Sequence, residues 1–358
     1  MRNPDTVLER RFAAIWVASL GLDAGGGGSA LVVADPSADH RVVEAALAAA
    51  SSLRHDAACL MHDPRSTVPM RTFGTFPSAA FDAAQTSPYP VLNAAVAAAD
   101  AVILLSSELA LLFNPGFRTA LQSSRVAFLP YLDRDLASRL LPADEAEIHE
   151  VASLTTAVAA TLEGAHDIRL ASPAGTDLSL RIGQYAGNCS AGSFARAGGF
   201  GGLEVLPAGQ VAIVPDDDSI NGRLVVEGSV NHPRFERVAG RIELEIENSL
   251  VVSIHGGAHA AQFARALDEI SRRGGNPRHV TEFGIGTNRR CNFLGVYGPT
   301  EDTHRWGTVS MALGADTHLG GRNSAGCHID MALEETAVTV DGRIFLSPQD
   351  GFLLPGAV

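Results

Sequence analysis

Residues 30–54 read ALVVADPSADHRVVEAALAAASSLR. An apolar, β-like run at 30–34 passes within a few residues into an alanine-rich stretch of helical texture at 41–54. The same two textures alternate onward to about residue 150, with β-like runs at 58–61, 101–105 and 126–130 and helical stretches at 91–99 and 133–141. Alternating β and α segments predict an open parallel sheet covered by helices. The glycines at 25–28 precede the first strand, whereas a phosphate-binding glycine loop follows its strand and opens a helix. They are therefore expected to form a flexible loop and not a nucleotide site. A long amphipathic helix is expected over 144–162, with the Asp144 carboxylate capping its free backbone N–H groups.

The texture changes near residue 167. Short β-like runs follow at 168–171, 178–182, 211–214, 223–226, 242–246 and 250–254. Turn signals separate them: Pro173-Ala174-Gly175, Pro207-Ala208-Gly209, Asn221-Gly222 and Asn248-Ser249. One helix is expected at 258–273, closed by Gly274-Gly275. The expectation is an α/β N-terminal domain with an open parallel sheet, 1–165, and a β-rich α+β C-terminal domain, 166–358, with the boundary between 162 and 170.

Composition narrows the function. The 358-residue chain is 46% hydrophobic and 19% charged, so it has ample material for buried cores. Its formal net charge of -13 repels nucleic acid phosphates and anionic membranes, so neither is expected as a partner. Cys59, Cys189, Cys291 and Cys327 are scattered without CxxC spacing, which predicts free thiols in a reducing compartment. The start, MRNPDTVLERRF, is not followed by an apolar signal segment, and a cytoplasmic location is expected.

Histidine is unevenly placed. His255, His259, His279, His304, His318 and His328 all fall within 255–328, accompanied by Glu282, Asp302, Asp316 and Asp330. Imidazole plus carboxylate is the ligand set of zinc, iron and manganese. The strongest element is Cys327-His328-Ile329-Asp330, after Gly320-Gly321-Arg322-Asn323. On a strand, an H-x-D pair points both side chains to one face, so two ligands reach one ion from one element. The alternative is a His and an Asp on an exposed sheet face. Asp216-Asp217-Asp218 lacks the alternate ligands and terminal Glu of a calcium loop and reads as a solvated turn.

Several segments in order resemble the aminopeptidase T-type metallopeptidases: 206–210 (LPAGQ), 219–222 (SING), 281–288 (TEFGIGTN), 307–314 (GTVSMALG), Gly320-Gly321 and His328-Ile329-Asp330. The resemblance implies metal ligands at Glu282, His328 and Asp330. It also shows two changes, since Gln210 stands where those peptidases place a Glu and Ser310 where they place a His. Neither is a good ligand for a second divalent ion, so one ion is expected. Segments 182–185 (IGQY) and 253–257 (SIHGG) look like the related 2,5-dihydroxypyridine 5,6-dioxygenase branch. That branch implies one ferrous ion held by two His and one Asp. His328 and Asp330 match two of these, and the second His falls at Glu282, with His279 as the alternative third ligand. A substrate-associated His of that branch falls near Ser106 and Ser107.

Two readings follow from the resemblance. One is a ring-cleaving dioxygenase with one divalent ion, Fe2+, acting on a small hydroxylated ring. The other is a Zn2+ or Mn2+ hydrolase, an aminopeptidase or small-amide hydrolase; a degenerate homologue that binds without turnover is a third. His255, His304 and His318 are the candidate catalytic bases. Arg289, Arg290 and Arg322 are candidates to grip an anionic substrate. The related families look dimeric, so a homodimer is expected.

Overall fold

A computed structural model describes residues 5–63, 88–106, 111, 114–130, 133–194, 203–231, 238–272, 274–294, 301–323, 325 and 327–354. Within them the chain forms two compact units. The first ends at Leu154 and regains Ser190–Gly209; the second takes Thr155–Cys189 and Gln210–Val358.

The first unit is the parallel α/β layer read from residues 30–54. Strand β1 (Ser29–Ala34), helix α2 (His40–Ser52), β2 (Asp56–Met61), α3 (Pro90–Ala98), β3 (Ala101–Leu105), α4 (Pro115–Leu121), β4 (Arg125–Phe128) and α5 (Arg134–Leu140) alternate along the chain. The strands pair in parallel in the order β2-β1-β3-β4, and β8 (Leu203–Val205) joins β4 at the edge. That last strand belongs to the returning segment, which a single boundary near 165 does not contain. Asp39 and Asp133 cap α2 and α5 through their carboxylates, each satisfying a backbone N–H left free in the first turn. Val42, Ala45, Ala46, Ala49 and Ala50 bury one stripe of α2, the 3.6-residue period of an amphipathic helix. Helix α1 (Thr6–Ala14), not expected from the sequence, continues through a π-helical turn, Ile15–Ser19. It brings Phe12 and Trp16 into the same core, and the Trp16 indole donates to the Ala46 carbonyl at 2.9 Å. The glycines at 25–28 lie in the turn before β1, with Gly26 and Gly27 at positive φ.

Glu204 on β8 is fully buried. Its Oε2 accepts the Gly192 N–H at 3.0 Å and the Ser190 hydroxyl at 3.2 Å. Burial outweighs these two donors and pushes its carboxyl pKa up to about 8. Because the folded value lies above the unfolded one, this group's contribution is fully present below the ordinary glutamate pKa. It is lost as pH rises toward about 8. Glu204→Gln should therefore be most stabilising at alkaline pH, by roughly 3 kcal/mol near pH 7 and up to about 5 kcal/mol above pH 8 from the linkage. Thermal melts over a pH series test this; a variant whose melting temperature tracks the wild type at every pH would refute it.

The second unit is β-rich, as the short runs indicate. Helix α6 (Glu145–Leu162) leads into it, and Asp144 Oδ1 accepts the Glu147 N–H at 3.0 Å, the expected cap. One antiparallel sheet runs β13-β12-β10-β6-β5-β17-β18-β19 among the described residues. It uses β5 (Asp167–Ala171), β6 (Asp177–Arg181), β10 (Asn221–Val226), β12 (Ile242–Glu247), β13 (Leu250–Gly256), β17 (Ala337–Val340), β18 (Arg343–Ser347) and β19 (Gly351–Phe352). Strands β5 and β6 alternate exposed and buried positions, turning Ile168, Leu170, Leu178 and Leu180 inward. Helix α7 (Ala258–Ser271) packs on β12 and β13 through Phe263 and Leu267. Asn248 and Ser249, both at positive φ, make the two-residue β12–β13 hairpin.

The Asn221-Gly222 expectation is corrected. Both residues belong to β10, and Gly222 pairs with Ile246 on one side and Leu178 on the other. Its φ is 121°, and a Cβ there would collide with the Asp177 carbonyl. Close approach of neighbouring backbones, not a turn, requires this glycine.

The other sheet runs β11-β16-β15-β14-β9-β7 among the described residues. Its strands are β7 (Asn188–Ser190), β9 (Gln210–Ile213), β11 (Ser229–Val230), β14 (Val280–Gly286), β15 (Val309–Gly314) and β16 (His328–Leu333). Every residue of β14, β15 and β16 is buried. Most segments singled out for their chemistry, Gln210, 281–286, 309–314 and H-x-D, are strands of this one sheet. Among the described residues no helix is long and apolar enough to cross a membrane.

Candidate metal centre

Register builds the site. On the antiparallel ladder Asp330 of β16 lies opposite Ala312 of β15, and Ala312 lies opposite Glu282 of β14. The two carboxylates therefore flank a methyl group in one row across three strands. His328 stands two residues before Asp330, opposite Gly314, on the same face. Small residues at 312 and 314 leave the space above the central strand to the longer side chains beside it.

His328 Nε2 lies 3.2 Å from Glu282 Oε2 and 3.2 Å from Asp330 Oδ1, with all three residues buried. His328 Nδ1 is 2.7 Å from the Ala315 carbonyl, which can only accept, so Nδ1 carries a proton. A neutral ring would then aim the Nε2 lone pair at two carboxylates. Something positive must sit there: a proton or a metal ion. Ligand atoms bound about 2.1 Å from one ion at near-right angles stand about 3 Å apart, the spacing of His328 Nε2 from each carboxylate. Asn231 Nδ2 lies 3.4 Å from Asp330 Oδ2, and the Asn231 N–H donates to the Asp330 carbonyl at 2.8 Å. Such outer contacts hold ligands in place. The sequence reading did not include Asn231, and a lone Asn carries no metal-ligand signature from which to find it.

Burial disfavours the charged imidazolium, but the Asp330 and Glu282 carboxylates more than offset that and hold the His328 pKa well above its ordinary value. Burial likewise raises the Glu282 pKa, against the hydrogen bond from His328. In the ion-free protein the stabilisation of charged His328 is present below the ordinary imidazole pKa and lost as pH rises through the elevated one. An incoming ion must displace this proton. Its affinity should thus rise about tenfold per pH unit up to the elevated His328 pKa. Metal titrations at several pH values measure the slope; a flat profile would mean that no proton leaves Nε2.

The other histidines separate by position. A ligand atom of His318, from the 3-10 turn Thr317–Leu319, lies within 4.8 Å of those of Glu282 and His328. Its ring meets that of His328 edge-on, centroids 4.6 Å apart at 87°. His279, just before β14, stands outside this group and near Asp316, whose carboxyl pKa it lowers against a larger rise from burial. His255 is exposed on β13 in the other sheet, its Nε2 3.0 Å from Ser253 Oγ. His304 is buried at the end of α8 (Glu301–His304), its Nδ1 3.2 Å from Thr303 Oγ1, and is not in the ligand group. Arg289 stacks on Trp306, 4.4 Å from the ring centroid. Arg322 Nη1 lies 3.6 Å from Asp217 Oδ2, and Asp217 also accepts the Tyr185 hydroxyl at 2.8 Å. Ser106 donates to Asp35 at 3.0 Å in the first unit, while Ser107 lies outside the described residues.

Gln210 and Ser310 do stand beside Glu282. A Cβ at Gly284 would collide with Ser310 Oγ and lie 3.1 Å from Gln210 Nε2 and 3.3 Å from Glu282 Oε1. This glycine lets Gln210, Ser310 and Glu282 pack closely together, and the first two are neutral.

Residues 12–351 match the family described as NicX, 2,5-dihydroxypyridine 5,6-dioxygenase. The chain belongs to the 2,5-dihydroxypyridine 5,6-dioxygenase family. A 2,5-dihydroxypyridine 5,6-dioxygenase of Pseudomonas putida KT2440 is 25% identical over 260 residues, 70% of this chain and 71% of the relative. The solved 2,5-dihydroxypyridine dioxygenase from Pseudomonas putida KT2440 superposes with a TM-score of 0.78 at 21% identity, covering 99% of each chain. Wild-type AmpT from Thermus thermophilus superposes with a TM-score of 0.60 at 13% identity, covering 98% of this chain and 100% of AmpT. At these identities the two structures establish the shared fold. The family relation supports a dioxygenase-like enzyme, and the cluster around His328 is its candidate metal site.

Proposed function

We propose that this protein is a mononuclear ferrous dioxygenase that cleaves a small dihydroxylated aromatic or heteroaromatic ring. The observation that carries the reading is the His328 Nε2 position between two buried carboxylates, in a chain of this family. Glu282, His328 and Asp330 would hold the ion. When bound, Fe2+ supplies redox chemistry with dioxygen that side chains lack.

The chain's own residues do the rest. The Ala315 carbonyl fixes the His328 ring, and Asn231 fixes Asp330. Ala312, beside Glu282 and Asp330 in the ladder, leaves the row between the two carboxylates to their own side chains. Ser310 Oγ is buried without a hydrogen-bond partner among the described residues, and a ring hydroxyl offers one. Gln210 Nε2 adds a neutral donor against the same glycine, Gly284. The proposed setting is the cytoplasm, as a homodimer with a small-molecule substrate; a sedimentation mass of two chains checks the dimer.

Protein purified without oxygen should carry iron, and with 2,5-dihydroxypyridine or a close analogue it should consume one dioxygen per ring opened. Oxygen uptake and elemental analysis measure both. An iron-loaded protein inert toward dihydroxylated rings, but active on peptides or amides, would overturn the proposal in favour of a hydrolase.

A further inference from the structure

Glu282, His318 and His328 have ligand atoms within 4.8 Å of one another, and Asp330 Oδ1 lies 3.2 Å from His328 Nε2. Glu282, His328 and Asp330 come from adjacent strands. His318 comes from the short turn between β15 and β16. Its ligand atom lies within 4.8 Å of those of Glu282 and His328. Two atoms bound to one ion at about 2.1 Å stand at most about 4.2 Å apart, so a sub-ångström movement brings His318 into range.

The turn is held so as to present this ring. The Asp316 carboxylate accepts the Asn323 N–H at 2.7 Å, and the Asp316 carbonyl accepts the N–H groups of Leu319 at 2.8 Å and Gly321 at 3.1 Å. Asn188 Nδ2 donates to the Leu319 carbonyl at 3.0 Å, tying the turn to β7. Gly321 permits this closure, because a Cβ there would run into the Asp316 carboxylate. Charge agrees: two carboxylates balance a divalent cation, and two neutral imidazoles complete four ligands without excess charge.

We infer that His318 is a metal ligand, completing a Glu282–His318–His328–Asp330 set, and is not a general base. This rests on the proposal that the centre binds a metal, and the test separates the two. The probe is Co2+ added to the full-length protein. Exchangeable imidazole N–H resonances shifted by the bound Co2+ count the ligated histidines. Wild type should bind one Co2+ and show two such resonances. His318→Gln should bind at least 100-fold more weakly and show one, because even outer-shell partners cost about 10–100-fold. Free imidazole should restore affinity to His318→Ala, which excludes misfolding as the cause. Asn188→Ala should weaken binding less and keep both resonances. Wild type with one Co2+ and one imidazole resonance, together with unchanged affinity in His318→Gln, would overturn the role of His318 and leave the metal centre standing. Failure of wild type to bind Co2+ would remove the centre and this inference with it.

Discussion

His328→Ala and Asp330→Ala should each abolish metal binding under conditions where the wild-type chain is saturated. A metal held by four protein ligands gains about 10–16 kcal/mol, so each ligand carries roughly 3–4 kcal/mol, a factor of several hundred or more in affinity. His328 has the larger share, because its Nε2 faces both carboxylates at 3.2 Å and is the geometric centre of the set. Its loss also leaves Glu282 and Asp330 buried without a cation, and these protonate in consequence. Asp330→Ala leaves the His328–Glu282 pair intact, so that variant should stay folded without metal. Glu282→Ala should also weaken binding. Dialysed protein analysed for metal content, with circular dichroism as the fold check, decides the matter. Full occupancy in either His328→Ala or Asp330→Ala would sink the assignment of the centre to β16.

Much of this was legible in the sequence because it is local. The parallel layer follows from the alternation of textures in 30–54, and the H-x-D pair on one strand face follows from the two-residue period of a strand. The Asp144 cap and the Asn248-Ser249 hairpin are likewise properties of a few adjacent residues. What stayed hidden depends on distant chain segments. Strand β8 joins the first sheet across a long excursion, and its short run LEV has no signal of its own. Gly222 looks like a turn glycine, yet its reason is the backbone of a neighbouring strand. His318 and His279 are alike as letters. Only the turn anchored by Asp316, which brings His318 to Glu282 and His328, separates one from the other.

The centre should take up one ion per chain and hydrolyse peptides slowly or not at all. A two-ion site needs carboxylates or imidazoles around both positions, because each divalent charge must be offset in a medium that solvates it poorly. Beside Glu282, around Gly284, stand the Gln210 amide and the Ser310 hydroxyl. An amide and a hydroxyl carry no charge, and both prefer hydrogen bonding to binding a divalent ion. Glu282 is the carboxylate among the three side chains nearest Gly284, and it already faces His328. His318 cannot supply the charge missing at Gln210, since a neutral imidazole offsets none. Restoring the charge should restore the site: Gln210→Glu with Ser310→His is expected to raise the stoichiometry toward two, while Gln210→Glu alone adds charge but lacks a ligand. Titration of the apoprotein with Zn2+ or Mn2+, beside an assay on aminoacyl anilides, gives both readouts. Two equivalent tight sites and rapid anilide turnover in the unaltered chain would make it a peptidase in chemistry as well as in fold.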